Sequence, residues 1–156
     1  MIDSNQVLAD FQFIGNRVSN FKIETKDIKT NEAKAKVTYN FDYNVKEIEE
    51  LEDKYVGYIE FITEIKAKIK NVILFKINLT MEGAFIGNNQ KLTKENFLSM
   101  LELNGLTTLS QLSRAYVLSV TALSGITPPP VKLPMINVFK LRQQKKEKEE
   151  KNIKLS

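Results

Sequence analysis

The chain of 156 residues contains no cysteine, no histidine and no tryptophan. These absences remove thiol nucleophiles, imidazole general bases and the commonest zinc ligands together, and with them most enzyme chemistries. No disulfide can staple the fold, and a chain of this size needs none, since it can bury about 70% of its unfolded surface. No apolar run approaches the ~18 residues of a membrane-crossing helix. The opening MIDSNQVLADFQF lacks the basic start and apolar stretch of a signal peptide. A cytoplasmic protein with no membrane insertion is the expectation. Proline is also scarce, and all four residues, Pro128, Pro129, Pro130 and Pro134, fall in one short stretch.

An excess of one charge is missing from most of the chain. Residues 1–139 hold 16 basic and 16 acidic side chains, so the net charge of +4 comes from residues 140–156, with seven basic and three acidic. That segment, KLRQQKKEKEEKNIKLS, is helix-prone, and Glu147 and Lys151 have i,i+4 spacing. No aromatic side chain lies among its lysines to stack on bases, so no nucleic-acid partner is expected.

What is present first is a period of two. Ala33, Ala35, Val37, Tyr39, Phe41, Tyr43 and Val45 alternate with Lys34, Lys36, Thr38, Asn40, Asp42 and Asn44, as expected of a half-buried strand. Phe21 and Ile23 mark a shorter strand before it, beginning near Phe11 or Arg17. A third strand is expected over Tyr55 to Lys70, with Ile59, Phe61, Ile65, Ala67 and Ile69 on one face. After a break at Asn71, a fourth is expected over Val72 to Ile86, with Ile73, Phe75, Ile77, Leu79 and Met81 facing one way. Short links favour an antiparallel meander. The acidic run Glu47, Glu49, Glu50, Glu52 and Asp53 reads as a solvated loop without the spaced donors and glycine of a calcium site.

Helical signals follow. Gly83 and Gly87 allow a bend or a close backbone approach, and Asn88 and Asn89 continue a turn. GAFIGNN lacks the spacing of a phosphate loop. Thr93 caps a short helix with Phe97, Leu98, Met100 and Leu101, ended by Asn104 and Gly105. Thr108 with Gln111 reads as the capping box of a long helix that stops at Gly125. Leu109, Leu112, Tyr116, Val117, Val120 and Leu123 form its apolar stripe. Ser110, Ser113, Ser119, Thr121 and Ser124 leave a second face small enough for two helices to approach closely. The prolines then hold the chain extended while Val131, Leu133, Met135 and Ile136 project between them. Such a connector either covers the domain's own core or forms the wall of a groove for an extended peptide. A last helix begins at Asn137. The fold class is α+β: a four-stranded antiparallel meander, a short helix, a long helix, a Pro-rich connector and a C-terminal helix.

This order resembles the SecB protein-export chaperone family, and short segments share the likeness. MEGAFIG at 81–87 looks like that family's glycine-aromatic sheet end, RAYVLSVTALSG from Arg114 like its long helix, and PPPVKLPMINVFKL from Pro128 like its connector and helix start. The likeness is clearest over 55–144. It implies one domain over residues 1–144, with 145–156 a charged helix end or tail. It also implies an ATP-independent holdase that binds unfolded polypeptide clients in apolar grooves, assembled as a homotetramer, a dimer of dimers. By resemblance, the peptide-binding groove falls to Phe85, Ile86, Tyr116, Val131, Leu133 and Met135. No catalytic residue, metal or cofactor is implied.

The likeness breaks at the surface where that family docks the SecA export motor. Lys22, Lys76 and Asn78 stand where acidic or apolar docking residues are expected, and the tail is basic, so SecA docking is not expected. The alternative function is a non-enzymatic interaction module dedicated to one partner, such as the antitoxin of a toxin-antitoxin system. For an enzyme, only Glu60 and Glu64 might converge on a strand face, and that spacing sets them roughly 13 Å apart, too far for an acid-base pair.

Overall fold

The computed structural model describes residues 1–3, 8–26, 34–124 and 131–155. Expectations for Ala33, Gly125 and Pro128, Pro129 and Pro130 lie outside the described residues. Four long strands, β1 (Phe11–Thr25), β2 (Lys36–Glu50), β3 (Lys54–Ile69) and β4 (Val72–Asn88), form one antiparallel sheet in the order β1-β4-β3-β2. Thus β2, β3 and β4 make the expected meander, whereas β1 pairs with β4 rather than with its sequence neighbour. Leu79 and Ile77 of β4 receive Phe21 and Ile23 in register, which extends the apolar face by one strand.

Two strands run further than their patterns suggest. The acidic run is not all loop: β2 continues to Glu50, and the turn is confined to Leu51–Asp53, closed by the Leu51 amide donating to the Lys54 carbonyl at 2.8 Å. A bulge between Val45 and Glu47 shifts the alternation, so Ile48 turns inward while Glu47 and Glu49 stay in water. β1 begins at Phe11, with irregularities between Phe13 and Gly15 and between Val18 and Asn20 that disrupt its period.

Helices cover one face. Thr93 caps α1 (Lys94–Met100), its hydroxyl accepting from the Asn96 amide at 3.1 Å. The expected stop at Asn104–Gly105 does not occur. A single π-helical stretch, Leu101–Gly105, joins α1 to α2 (Leu106–Leu123), and Gly105 has a right-handed φ of −61°. Thr108 is therefore not a cap: its hydroxyl donates to the Asn104 carbonyl at 2.9 Å from within the helix. Burial decides the outcome, because Leu101, Gly105, Leu106 and Leu109 all lie against the sheet, and tertiary packing overrides weak local stop signals.

Backbones approach closely where side chains are missing. A Cβ on Gly57 would stand 2.8 Å from the Phe97 ring, on Gly87 2.5 Å from it, and on Gly83 2.8 Å from Leu109. Phe97 stacks on Tyr55 (5.3 Å between centroids) and packs on Phe11 (5.6 Å). One apolar cluster gathers Phe97, Leu101, Leu106 and Leu109 over Ile59, Phe61, Met81 and Phe85. A second gathers Val117, Val131 and Leu133 over Ile65, Phe75, Ile77 and Leu79.

The C-terminal helix α3 (Val138–Leu155) starts as expected, the Asn137 side chain accepting from the Lys140 amide at 3.1 Å. It is clasped at its first turns by Arg142 Nε donating to Glu102 at 2.6 Å and Lys145 Nζ donating to Asp42 at 2.8 Å. Lys145 also sits 5.7 Å from the Tyr43 ring centroid. Burial, and then the Glu102 charge, push the Tyr43 phenol up to about 12. Beyond Lys145 the helix is exposed. Glu147 accepts from Gln143 at 3.1 Å and, among the described residues, makes no ion pair with Lys151.

Candidate peptide-binding surface

The six residues assigned to a groove by resemblance fall into four environments. Phe85 lies on the helix-covered face of β4, buried, stacked on Phe11 at 5.3 Å and tilted against Phe13 at 5.2 Å. Ile86, one residue on, points to the opposite face, where its register neighbours are Gln12 and Val56. Adjacent strand residues cannot share a face, so these two do not come together.

The connector and α2 gather three others. The Val131 amide donates to Thr121 Oγ1 at 2.8 Å, and Val131 and Leu133 are buried in the second cluster beside Val117. The Lys132 carbonyl between them accepts from the Tyr39 hydroxyl at 3.4 Å. The connector is thus tied to α2 on one side and to β2 on the other, its alternate side chains directed inward. Tyr116 is half-buried, contacts both clusters and meets Phe21 edge-on at 5.3 Å.

Met135 differs from these: it is 71% exposed. Its sulfur is 3.2 Å from Arg114 Nη1 and 3.5 Å from Gln111 Nε2, so it lies over the α2 face that also carries Leu118. Sequence reading missed the neighbouring apolar residue Phe139, also 71% exposed. Its signal was available: α3 turns Val138 and Leu141 inward, and Phe139 lies off that face. Phe13 and Ile14, exposed at the bulge of edge strand β1, were missed as well, because Gly15 and the bulge interrupt the period there.

The expected apolar stripe of α2 is displaced. Its buried residues are Leu106, Leu109, Ser113, Val117 and Thr121, while Leu123 is exposed. Ser113 and Thr121 therefore belong to the sheet-facing side, and Ser110, Ser119 and Ser124 remain outside it. Thr121 satisfies itself by donating to the Val117 carbonyl at 2.7 Å and accepting from Val131. Ser113 Oγ and Thr63 Oγ1, both buried, have no partner among the described residues.

On the far side of the sheet, the bulges of β1 and β2 frame an open depression of about 600 Å³. Gly15, Ala84 and Tyr58 line it, with the 2.6 Å Arg17–Glu82 pair and Lys46, Glu47 and Glu49. None of the six candidates lines it. Among the described residues no group of three acidic side chains is placed to hold a metal ion, and no helix is long and apolar enough to cross a membrane.

No protein-family model matches the chain, and no curated protein matches it. Among solved structures, the chain is similar to the Rv1957 SecB-like chaperone of Mycobacterium tuberculosis, solved in complex with a ChAD peptide from the Rv1956 HigA1 antitoxin. That match has a TM-score of 0.59 at 13% identity, over 82% of this chain and 91% of that one. A protein of unknown function from Streptococcus agalactiae matches with a TM-score of 0.41 at 12% identity, over 80% of this chain and 97% of that one. The antiparallel sheet covered on one face by a long helix, a connector and a C-terminal helix is a SecB-like fold, carried here by a widely divergent sequence.

Proposed function

We propose that this chain is an ATP-independent chaperone of the holdase type, acting in the cytoplasm as a homo-oligomer, a tetramer built as a dimer of dimers. The observation that carries the reading is the exposure of three large apolar side chains, Met135 on the connector, Leu118 on α2 and Phe139 on α3, on a SecB-like fold. Apolar side chains of an extended client gain ~25 cal/mol per Å² on burial there. The open edge of β2, which ends the sheet, offers backbone hydrogen bonds. Tyr116 forms the half-buried side of this surface, and Val131 and Leu133 anchor its connector wall. Phe85 supports the sheet end from within and Ile86 lies behind it, so both act on clients through the sheet rather than by lining one groove. The outward face of α2, with Ala115, Leu118, Ser119 and Ala122, is small enough for a second α2 to pack on it.

A dedicated partner is the second reading. It is favoured by the neighbour's bound antitoxin peptide and by the burial of Val131 and Leu133, which removes two of the six groove candidates from the open surface. One experiment separates the two: suppression of aggregation of a slowly folding client without ATP, with mass measured by light scattering in the same solution. Stoichiometric suppression by a tetramer supports the general holdase. Absence of suppression, with tight binding of one extended peptide, assigns a dedicated module. Met135→Ser is the informative substitution, since Met135 is exposed and its loss spares the core; unchanged client affinity in that variant rejects the surface.

A further inference from the structure

The face of the sheet turned away from the helices separates its charges along the strands. At the end nearest the β3–β4 turn, Lys36 on β2 stands opposite Lys68 on β3, and Lys66 on β3 opposite Lys76 on β4. Lys22 lies one row on, across from Asn78, and Lys70 follows in the turn with a φ of 54°. At the other end the same face carries Glu47, Glu49, Glu60 and Glu82, partly offset by Arg17 and Lys46.

Like charges directly opposite one another across strands destabilise a sheet, and the two lysine pairs are treated differently. Glu64 serves the Lys66–Lys76 pair, accepting from Lys66 at 2.8 Å and Lys76 at 3.2 Å, and also from Asn40 at 3.1 Å. These bonds pull its carboxyl down to about 2. Lys22 is paired with Glu24 at 3.0 Å. Among the described residues no carboxylate pairs with Lys36, Lys68 or Lys70. All three lysines are exposed.

We propose that this lysine end is a docking surface for an acidic polypeptide segment lying extended across Lys36 and Lys68. Its charge is complementary, and the Thr38, Asn40 and Asn78 side chains between the lysines can bond a peptide backbone. Along β3, Lys66 and Lys68 are alternate residues ~6.6–6.8 Å apart, the repeat of an extended peptide's own side chains lying along that strand. A single-stranded nucleic acid fits less well. The aromatic residue on this face, Tyr58, stands at the opposite end, so stacked bases have no platform here. Glu24 and Glu64 interrupt the charge that a continuous phosphate chain needs. The surface lies on the side of the sheet opposite Met135 and α2, and the inference does not depend on client binding.

The test is anisotropy of a fluorescein-labelled glutamate decapeptide titrated with the full chain at about 50 mM and about 300 mM salt. Binding is expected at the lower salt and is weakened at the higher. Lys36→Glu/Lys68→Glu lowers affinity by about tenfold or more, and the neutral pair Lys36→Gln/Lys68→Gln, which introduces no new charge, lowers it less. Both variants keep the parent's circular dichroism and any aggregation-suppressing activity. No decapeptide binding at low salt overturns the proposal, as does unchanged affinity in both variants. Tighter binding of an oligouridylate at the same lysines assigns the surface to nucleic acid instead and overturns it. So does self-association at low salt that both variants abolish, which assigns the surface to a second copy of the chain.

Discussion

On β3, the residues that face the helices from Tyr55 to Ala67 are all buried: Tyr55, Gly57, Ile59, Phe61, Thr63, Ile65 and Ala67. The residues between them, Val56, Tyr58, Glu60, Ile62, Glu64, Lys66 and Lys68, point the other way and are half-buried or exposed. One face is organised by shape, with glycines at 57, 83 and 87 admitting Phe97 and Leu109 to the backbone. The other is organised by charge, with Glu64, Glu60 and Glu82 each paired to a nearby cation. Because side chains alternate, substitutions on one face leave the other intact. A SecB-like scaffold can therefore be kept by the helix face while the outer face changes sign and partner.

The contrast breaks most severely at Phe97. It is fully buried, touches two glycines and two aromatic rings, and fills the space between α1 and the sheet. Phe97→Ala is expected to cost ~3–5 kcal/mol, read as a fall in the urea midpoint. Ile62→Ala, on the outer face of the same sheet, is expected to cost far less. Equal losses would show that the outer face is also a packed core.

Much of this arrangement was legible in the sequence. Period-two alternation from Val37 to Val45 and from Ile59 to Met81 marked the strands and their buried faces, because a half-buried strand has to alternate. Gly83 and Gly87 were read as allowing either a bend or a close backbone approach, and the contacts with Leu109 and Phe97 show the second. The Asn104–Gly105 stop and the Thr108 cap were misleading for a physical reason. These residues carry only local signals, and the leucines around them gain more by staying on the sheet than the chain gains by ending the helix. The pairing of β1 with β4 was not legible, since either edge of the β2-β3-β4 meander could have accepted an apolar strand. At the candidate surface the sequence marked the connector and Tyr116, but hydrophobicity alone does not distinguish Leu133, directed into the core, from Met135, directed out of it.

A smaller effect comes from adding one carbon to either face. Gly87→Ala places a methyl 2.5 Å from the Phe97 ring and is expected to destabilise by ~1–3 kcal/mol, with part of the loss recovered by Phe97→Leu. Gly15→Ala, at the β1 bulge with nothing within 4 Å of its Cβ, is expected to be neutral or to stabilise by up to ~1 kcal/mol through the unfolded chain. Thermal unfolding of the two single variants and the Gly87→Ala/Phe97→Leu double variant checks this. A destabilised Gly15→Ala would mean that the bulge needs glycine's backbone freedom.

Thr63 reverses the sign on the buried face. Its hydroxyl is fully buried without a partner among the described residues, and an unsatisfied buried polar group costs ~1–3 kcal/mol. Thr63→Val keeps the shape and removes that penalty, so it is expected to raise the unfolding midpoint, with a gain of about 1 kcal/mol. A loss of stability would reveal a hydrogen-bond partner for this hydroxyl, such as an internal water shared with Ser113.

The smallest effect, and the one that isolates the outer face, is acid titration of Glu64. Hydrogen bonds from Lys66 and Asn40 lead in holding its carboxyl at about 2, below its ordinary 4.5. A group with a depressed folded pKa contributes stability that is complete above its unfolded value and is lost as pH falls through the folded one. The Glu64 contribution is therefore present at neutral pH and declines between about 4.5 and about 2. Glu64→Gln is expected to lower stability at pH 7 by under ~1 kcal/mol and to match the parent at pH 2, so the two stability curves converge across that window. High salt should shrink the neutral-pH difference, because it screens the lysines that Glu64 serves. Phe97→Ala, by contrast, should run parallel to the parent through the same acid range, since nothing it removes titrates. If the Glu64→Gln curve also stays parallel to the parent, charge does not organise the outer face, and the contrast between the two faces reduces to one of burial.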